Sequence, residues 1–528
     1  MDTRKVVLLY PEYPDTYWGF REALNYQDEW WWTRVGRGVV SLLSGKPWPK
    51  RRKKAAFPPL GLLTVGALLP EDWEVSLHDE NVRGAILEED LKGVDILMTG
   101  GMTIQRSAML RALRLGRACD VMTVAAGPLP TTEPEAFEEL ADFLVLGEFE
   151  ITLPLFLSAL EAGETDGICA PKHLEFADLS HSPLPLWDLV DSDDYVSYEI
   201  QFSKGCPNDC DFCNVCTLNG LKVRRKSVAQ VLAELEVIRE HASHRKRCGK
   251  IAVFIVDDNL TINARAAKVL LDALAEYQRK HSYPFIFFTQ GDMRSAQYAK
   301  WLQDAGFSQL FLGFETPEAA SLTGVGKHLN VRNDPFEVVR TLLSHGIEPQ
   351  GGFIYGFDQD TEKTSEKMVK FIRRLPVMTA MVGLLEALPG TKLTKRLAEE
   401  GRVTGPSTGD NTRGRSNIEP KDMSREDLAK GFRYIVTTIY HPRQYFLRML
   451  VFLRYYRPNQ LLQRSPSSGD IRAFLRSMCR VGLRPRTTLW YWASLLVSLI
   501  MNPKAFPSVI RLWVLHGDFE RLAGQAAR

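Results

Sequence analysis

The sequence predicts an α/β protein, in which two domains of alternating strands and helices precede a mainly α-helical, basic domain. Short β-branched runs alternate with helical patterns over residues 4–163, and the alternation resumes at residue 198 and runs six times. With 528 residues and 45% hydrophobic content, the chain can bury several cores. We expect domains over residues 1–165, 196–402 and 403–528, with a linker over 166–195.

The first domain is predicted to be a flavodoxin-like, doubly wound parallel sheet. Its strand candidates are KVVLLYP, WEVSLHD, VDILMTG, VMTVAAG and FLVLGE, and its helix candidates are PLGLLTVGALL, IQRSAMLRALRLG and EPEAFEEL. Ligands of such sheets bind beyond the carboxyl ends of the strands. Polar residues and glycines stand at those ends, where they could contact a ligand or form ordinary turns: Asn81, Thr103, Gly127, Gly147 and Glu148.

The first loop of this domain, residues 25–60, is unusually long. It contains Trp30, Trp31 and Trp32 and a basic run from Lys50 to Lys54. This combination suits a membrane interface or a lid over an apolar substrate. An insertion that packs on its own sheet explains it equally well.

The second domain is predicted to be a (β/α)6 partial TIM barrel. Its strand candidates are YEIQFSKG, KIAVFIVDD, PFIFFTQG, QLFLGFET, PQGGFIYGF and VMTAMVGLLEAL, each followed by a helical pattern. Active sites of barrels lie at the carboxyl ends of the strands. The stretch GCPNDCDFCNVC, residues 205–216, follows the first of these strands and holds four of the eight cysteines.

The four clustered cysteines are better suited to an iron–sulfur cluster than to the other cysteine chemistries. The sparse cysteines elsewhere and an N-terminus without a signal-peptide pattern favour a reducing cytoplasm over disulfides. Closed zinc sites usually use two separated pairs of ligands, which fits this spacing poorly. Two cluster patterns compete: Cys210, Cys213 and Cys216 follow the ferredoxin spacing C-x2-C-x2-C, whereas Cys206, Cys210 and Cys213 follow C-x3-C-x2-C.

The C-x3-C-x2-C triplet with Phe212 before its last cysteine resembles the radical S-adenosylmethionine (SAM) superfamily. The six βα units match the partial barrel of that family, and GGFIYGFDQD, residues 351–360, resembles its fifth-strand motif, with Asp360 at the acid position. The first domain, with PPLGLLTVGALLP at residues 58–70, resembles the cobalamin-binding domain of the cobalamin-dependent branch. The tail and the segments VGLLEALPGT and STGDNT resemble the group that contains the hopanoid methylases.

The resemblance implies that Cys206, Cys210 and Cys213 bind a 4Fe-4S cluster with one iron left open for SAM. Cleavage of SAM would give a 5′-deoxyadenosyl radical, and methylcobalamin would supply a methyl group to a substrate carbon. The strand-end residues would then contact SAM (Phe212, Asp258, Gln290, Glu315, Gly352 and Gly356) or cobalamin (Asn81, Thr103, Gly127, Gly147 and Glu148). Cys216 is left over, and we interpret it as an incidental small residue.

Two segments depart from the pattern of the family. Asn81 stands in DENVRG where a histidine ligand to cobalt would be expected, so we expect no histidine below the cobalt. The Gly-Gly-Glu segment after the second strand is replaced by VDDN, where Asp257, Asp258 and Asn259 either contact the methionine end of SAM or cap the next helix. We favour the contact.

The charge distribution and the apolar segments suggest a hydrophobic substrate and an anionic neighbour. Residues 431–528 carry a net charge of +12, against −10 for the rest of the chain. The run TTLWYWASLLVSLIM, residues 487–501, is too short to span a bilayer and is interpreted as a buried or interfacial helix, with burial favoured. We expect peripheral membrane contact through the basic tail and no nucleic-acid partner.

Together these observations predict a cytoplasmic, membrane-peripheral methyltransferase that acts on an unactivated carbon of a hydrophobic, hopanoid-like lipid. Porphyrin-like pigments and hydrophobic natural products fit nearly as well. A ferredoxin or flavodoxin would supply the electron. The alternatives are a radical rearrangement or cyclisation without methyl transfer, and an electron-transfer or sensory protein whose cluster is closed by four cysteines.

Overall fold

The computed structural model describes residues 3–14, 55–172, 175–243, 249–466 and 468–526. The long first loop with its tryptophans and basic run therefore lies almost entirely outside the described residues. The N-terminal domain is a six-stranded parallel sheet with strand order β2-β1-β3-β4-β5-β6, which confirms the flavodoxin-like prediction. The strands are β1 (Lys5–Tyr10), β2 (Glu74–Asp79), β3 (Ile96–Gly100), β4 (Met122–Ala126), β5 (Phe143–Val145) and β6 (Gly167–Cys169).

Helices cover this sheet and bury its apolar strands. Val6, Leu8 and Ile96 are almost fully buried between them, as the continuous apolar runs of parallel strands predict. The helices are α1 (Leu60–Leu68), α2 (Glu80–Arg83), α3 (Arg106–Ala118), α4 (Pro128–Thr132) and α5 (Phe149–Glu161).

Two details of the first domain differ from the predictions. The segment EPEAFEEL holds only a short 3-10 turn, Pro134–Ala136, because its single turn packs Phe137 under the sheet and then bends into β5. The domain also continues past residue 165, since β6 pairs with β5 in register Phe143↔Gly167. A strand of three residues is too short to give an alternating pattern, so the predicted linker began inside the sheet.

The second domain is an open, all-parallel barrel whose six main strands follow chain order, which confirms the (β/α)6 prediction. The strand order is β14-β13-β12-β11-β10-β7, so β7 and β14 form the two open edges. The main strands are β7 (Tyr198–Ile200), β10 (Ile251–Ile255), β11 (Phe285–Gly291), β12 (Phe307–Glu315), β13 (Glu348–Tyr355) and β14 (Thr379–Leu384). A small antiparallel ribbon, β8 (Ser203–Lys204) with β9 (Arg224–Arg225), brackets the cysteine stretch.

The outer layer of the barrel consists of the helices that the sequence predicts and a few short ones. They are α6 (Val215–Asn219), α7 (Val228–Ser243), α8 (Ala264–Lys280), α9 (Ala299–Ala305), α10 (Ala319–Gly324), α11 (His328–Arg332), α12 (Pro335–Ser344), α13 (Glu362–Arg374) and α14 (Lys392–Glu399). Residues facing these helices, such as Val253, Ile255, Phe285 and Phe287, are fully buried. The barrel is therefore packed firmly on its outside.

The C-terminal region is mainly α-helical and packs on the barrel. Its helices are α15 (Arg425–Ile439), α16 (Pro442–Tyr455), α17 (Ser468–Arg480), α18 (Thr488–Met501) and α19 (Phe506–Ala526). Helix α15 lies against α13 and β14. The Tyr440 hydroxyl accepts a hydrogen bond from the Ala380 N–H at 3.0 Å and donates one to its carbonyl at 2.6 Å, so it pairs with an open edge strand.

The apolar run at residues 487–501 forms α18, which is buried on one side only. Tyr491 and Leu495 pack inward, whereas Leu489, Leu496 and Ile500 are exposed. Among the described residues, no helix is long and apolar enough to cross a bilayer.

Candidate functional site

The cysteine stretch lies at the mouth of the barrel, held there by two carboxylates from the end of β10. Asp257 accepts hydrogen bonds from the Phe202 N–H at 2.8 Å and from the Ser203 hydroxyl. Asp258 accepts from the Gly205 N–H at 2.8 Å and from the Asn219 amide. The observed contacts of Asp257 and Asp258 thus fix the loop, and their predicted contact with SAM stays a prediction.

Gly205 opens the stretch with a left-handed backbone, at φ +95°. A Cβ there would stand 2.5 Å from the Lys222 carbonyl oxygen, so only glycine fits. The Cys206 N–H donates to the Gly220 carbonyl at 3.1 Å, which closes the loop at its base. The turn that presents the first cysteine therefore depends on Gly205.

The three thiols of the triplet share one partly buried site. Burial raises the pKa of Cys206, of Cys213 and, to about 12, of Cys210, although the Lys327 ammonium opposes the shift at each of them. The Cys206 and Cys213 thiolates also raise the pKa of Cys210, and the Cys206 thiolate raises that of Cys213. Burial thus favours the protonated thiols, and a bound metal would displace these protons because the thiolate is the form that binds metal.

Lys327 and Glu315 form a buried ion pair beside the triplet. The Lys327 Nζ lies 2.7 Å from a Glu315 carboxylate oxygen. Burial alone would lower the pKa of Lys327, but the charges of Glu315 and of the Cys210 thiolate outweigh it and raise the pKa. Glu315 takes a positive φ of 61° at a bulge that ends β12. The predicted contact of Glu315 with SAM stays a prediction; its observed partner is Lys327.

Arg294 is a second cation at the site. Its guanidinium bonds to Asp292, which also accepts from the Asn259 amide at 2.8 Å. The hydrogen bond to Asp292 raises the pKa of Arg294, and the Cys206 thiolate adds to that shift. Two permanent cations therefore flank the thiolates, and they offset the negative charge of a thiolate-bound cluster.

Phe212 anchors the far side of the stretch in a small apolar cluster. Its ring lies 5.9 Å from that of Phe357 in an edge-to-face arrangement, and the Lys327 ammonium lies 5.9 Å from its centroid. Phe357 follows Gly356, whose N–H donates to Asp360 at 2.9 Å. The fifth-strand motif and the aromatic residue of the cysteine motif thus meet in space.

Cys216 lies close to the triplet, near enough for the Cys206 and Cys213 thiolates to affect its pKa. Its thiol lies 3.5 Å from the Cys206 carbonyl oxygen and 3.7 Å from that of Asn208, within hydrogen-bonding range for sulfur. Burial and the neighbouring thiolates raise its pKa to about 11. The contacts of Cys216 are therefore with the backbone of the stretch that the other three cysteines span.

The interior of the barrel is partly open and mostly apolar. Phe254 and Phe288 stack 4.9 Å apart, with Phe57 from the N-terminal domain over both, and all three keep some exposure. Glu199 is level with Phe254 across β7 and β10. Burial raises the pKa of Glu199 to about 8, and the Leu60 N–H opposes that shift.

Two predicted SAM residues lie along the same interior. Gln290 is half-buried and level with Phe311 on the next strand. At Gly352, a Cβ would stand 2.7 Å from the Phe311 ring, so this glycine leaves room for an aromatic side chain. Contact of Gln290, Gly352 and Gly356 with SAM stays a prediction.

The carboxyl edge of the N-terminal sheet faces the mouth of the barrel. The Tyr195 hydroxyl, just before β7, donates to Asp79 at 2.8 Å. Asn81 accepts from the Tyr13 N–H at 2.9 Å and donates to the Pro11 carbonyl. Burial raises the pKa of Asp79 to about 6 against the hydrogen bonds from Asn81 and Tyr195. These contacts fix the β1 and β2 loops at the domain junction.

The remaining predicted cobalamin residues lie on the same edge. Gly127 and Gly147 have φ of +86° and +106°, and the Gly147 N–H donates to the Thr131 hydroxyl. Thr103 lies beside Gly409 of the segment STGDNT. Glu148 makes a two-pronged ion pair with Arg224 of β9, at 2.7 and 2.8 Å, and so joins the two domains. Their contact with cobalamin stays a prediction.

The thiol groups of the triplet are the ligands that iron–sulfur clusters take. No three His, Cys, Asp or Glu side chains in the described part of the chain converge closely enough to hold a metal ion. In an iron–sulfur cube each cysteine binds a different iron, so its ligands need not converge on one point. Sequence reasoning found the thiols but missed Lys327, Arg294 and Glu199, which no motif marks.

Comparison with known proteins agrees with this geometry. The model of the Radical SAM superfamily matches residues 200–372, and a Domain of unknown function (DUF4070) matches residues 391–528. An uncharacterized methyltransferase, sll1242, of Synechocystis is 33% identical over 96% of this chain and 90% of its own length. The Hopanoid C-2 methylase of Rhodopseudomonas palustris is 33% identical over 66% of each chain. This chain therefore belongs to the radical SAM methyltransferase family.

Solved structures share the whole architecture. The cobalamin-dependent SAM radical enzyme OxsB, solved with aqua-cobalamin and SAM bound, has a TM-score of 0.61 at 16% identity and covers 99% of this chain and 80% of its own. The radical SAM methyltransferase TsrM of Kitasatospora setae has a TM-score of 0.54 at 15% identity and covers 75% of this chain and 76% of its own. The order of sheet, barrel and helical region is thus a known one.

Proposed function

We propose that this protein is a cobalamin-dependent radical SAM enzyme that methylates an unactivated carbon of a hydrophobic molecule. One observation carries the proposal: the loop with Cys206, Cys210 and Cys213 is held at the carboxyl end of β10, and Glu148, beyond the carboxyl end of a strand of the flavodoxin-like sheet, binds Arg224 beside that loop. The cluster, a corrin on the sheet edge and a substrate between them would meet at this mouth.

The proposed cluster ligands and the proposed cobalamin contacts lie on two sides of the barrel mouth. Cys206, Cys210 and Cys213 would hold the 4Fe-4S cluster, while Lys327 and Arg294 balance its charge. The strand ends at Asn81 and Gly127 would contact cobalamin. When bound, the cluster, SAM and cobalamin supply the radical and the methyl group. The protein positions these groups and keeps water away from them.

The proposed substrate is a largely apolar, hopanoid-like lipid. The stacked rings of Phe254 and Phe288, with Phe57 tilted beside them, offer apolar surface to a polycyclic molecule. Glu199 at the same level keeps its proton up to a pH of about 8 and can donate a hydrogen bond to a single polar group. A pigment or another hydrophobic natural product with one such group fits the same surface.

The electrons that turnover consumes are proposed to come from a ferredoxin or flavodoxin. The reaction consumes one electron when SAM is cleaved, and these small carriers deliver single electrons at low potential.

The experiment that tests the function follows the methyl group. Purified protein loaded with iron, sulfide and cobalamin would be incubated with methyl-labelled SAM, a reductant and a lipid extract from cells that lack the protein. We expect label in an extracted lipid and release of 5′-deoxyadenosine. Deoxyadenosine without labelled product would favour a rearrangement or cyclisation and overturn the methyl transfer.

A pair of variants tests the open iron. Cys213→Ala removes a proposed ligand, whereas Cys216→Ala removes the thiol that contacts only backbone among its described hydrogen bonds. We expect Cys216→Ala to keep the cluster absorption and a paramagnetic signal that shifts on addition of SAM. Loss of the cluster in Cys216→Ala would favour a closed four-cysteine cluster and an electron-transfer or sensory role.

A further inference from the structure

Helix α18 turns apolar side chains toward solvent and serines toward the protein. Its outer face is formed by Leu489, Trp492, Leu496, Leu499, Ile500 and Met501. Leu496 is 61% and Ile500 73% exposed, whereas Ser494 and Ser498 are fully buried. A surface helix in water normally shows the reverse pattern, with its apolar stripe against the core.

The serine hydroxyls on the buried face of α18 form hydrogen bonds within the helix. The Ser494 hydroxyl donates to the Trp490 carbonyl at 2.7 Å, and the Ser498 hydroxyl to that of Leu495 at 2.8 Å. Small side chains bonded to their own helix let α18 lie close against α16 and α19. Helix α18 therefore packs closely on the protein. The exposure of its apolar outer face is not a result of loose packing.

Further exposed apolar side chains lie on the α17–α18 hairpin, the segment formed by α17, the turn at residues 481–487 and α18. Leu483 at the turn is 70% exposed, and Ile471 and Leu475 are exposed one helical turn apart on α17. The hairpin is fixed by a 2.6 Å hydrogen bond between the Ser477 and Tyr491 hydroxyls and by the Trp492 indole N–H, which donates to the Gly482 carbonyl. The patch thus lies on a rigid support.

All charged side chains in the sequence segment that forms this patch are positive. Residues 471–517 contain seven Lys or Arg and no Asp or Glu. Arg472, Arg480, Arg486 and Lys504 are exposed. Glu520, on α19, pairs with Arg484 and Arg486. Two copies of this face packed together would bring like charges against each other, which disfavours self-association.

We propose that the α17–α18 hairpin docks this protein on an anionic phospholipid surface, with the outer face of α18 lying in the headgroup and acyl boundary. The exposed leucines supply apolar area, and the arginines meet the lipid phosphates. With 14 residues the helix lies in the membrane plane and does not span the bilayer. Docking there would bring the barrel to a membrane that stores apolar molecules, and it does not depend on the methyl-transfer chemistry.

Sedimentation with vesicles tests the docking on the full-length, cluster-loaded protein. The probes are vesicles of phosphatidylcholine alone and of phosphatidylcholine mixed with phosphatidylglycerol. We expect wild type to sediment with the anionic vesicles and to be released by high salt. The triple variant Leu496→Ser, Leu499→Ser, Ile500→Ser should bind the vesicles at least about tenfold more weakly than wild type. The triple variant Arg472→Gln, Arg486→Gln, Lys504→Gln should lose most of the dependence of binding on phosphatidylglycerol.

A matched control replaces an exposed apolar residue elsewhere. Val269, 55% exposed on α8 of the barrel, is changed to serine and should leave vesicle binding unchanged. Failure of wild type to sediment with anionic vesicles would overturn the proposal. So would a wild-type dimer in light scattering that the leucine variant converts to monomer, because the face would then bind a second copy. Neither result bears on methyl transfer, which is measured separately with detergent-dispersed lipid.

Discussion

At the scale of single residues, Glu199 makes the site depend on pH. Its carboxyl group faces the phenylalanine-lined interior, and burial raises its pKa to about 8 while only a backbone N–H opposes the shift. In the unfolded chain the same group ionises near its ordinary pKa of 4.5. The native state therefore retains a proton that the unfolded state has lost over the range between these two values.

The pH dependence of stability should reveal this proton. The contribution of a raised carboxyl pKa is fully present below about pH 4.5 and is lost as the pH rises toward about 8. Relative to Glu199→Gln, wild type should lose on the order of 1 kcal/mol per pH unit at most in that window. Thermal midpoints of the two proteins, measured from pH 5 to 9, check this; parallel curves would show that Glu199 is ionised in the native state. Glu240→Gln, an exposed acid on α7, is the control.

The residues of the site differ in how far the sequence predicts them. The cysteine triplet and Phe212 stand at fixed spacings within one short loop, so a local pattern marks them as candidates. Lys327 comes from a short segment more than a hundred residues later, and its ion pair with Glu315 at the end of β12 places it near the thiolates. Glu148 was expected to contact a ligand, but Arg224, distant in sequence, binds both of its oxygens. Contacts of this kind arise from the tertiary fold and leave no local pattern.

At the scale of elements, the segment STGDNT joins the barrel to the N-terminal sheet. Gly409 of this segment packs against residues 103–104, beyond the carboxyl end of β3. The Ser407 hydroxyl also donates to Glu386, and the Asn411 carbonyl accepts from the Leu384 N–H of β14 at 3.1 Å. The segment therefore closes one side of the barrel mouth.

Substituting Gly409 should loosen this closure. Its φ is +68°, and a Cβ would stand 2.7 Å from the Ile104 nitrogen. Gly409→Ala should cost about 1–3 kcal/mol and lower the amount of cobalamin retained after gel filtration, because the sheet edge shifts. Cluster content should not change. Gly405→Ala is the control, since nothing lies within 4 Å of a Cβ there; equal corrin absorbance in both variants would contradict the closure.

Long elements with strong periodicity were predictable, and short ones were not. All six barrel strands and their long helices lie where alternation and helical spacing place them. The three-residue strand β6 and the one-turn segment at 134–136 depend on tertiary pairing, and the pattern misplaced both. Helix α18 was correctly located, but its sequence is apolar on every side except for serines, so the exposed face could not be chosen from periodicity.

At the scale of the whole molecule, the C-terminal helices complete the barrel. Strand β14 is an open edge, and the Tyr440 hydroxyl satisfies both the N–H and the carbonyl of Ala380 on it. Arg448 is fully buried between the same elements, where it donates to the Val377 and Ile439 carbonyls at 2.9 and 2.8 Å. One of the positive charges of the basic tail is thus buried inside the protein, and the barrel and the tail share one hydrophobic core.

Removing the Tyr440 hydroxyl should therefore weaken the barrel and the tail together. Tyr440→Phe leaves the Ala380 N–H and carbonyl buried without a partner, a loss of about 1–3 kcal/mol. The control is Tyr434→Phe on the same helix, whose side chain is 44% exposed. Urea midpoints followed by cluster absorption for the barrel and by the fluorescence of a dye on the exposed Cys479 for the tail should fall in parallel for Tyr440→Phe and stay unchanged for Tyr434→Phe. If the fluorescence midpoint falls while the cluster midpoint does not, the tail is an independent domain and does not close the edge of the barrel.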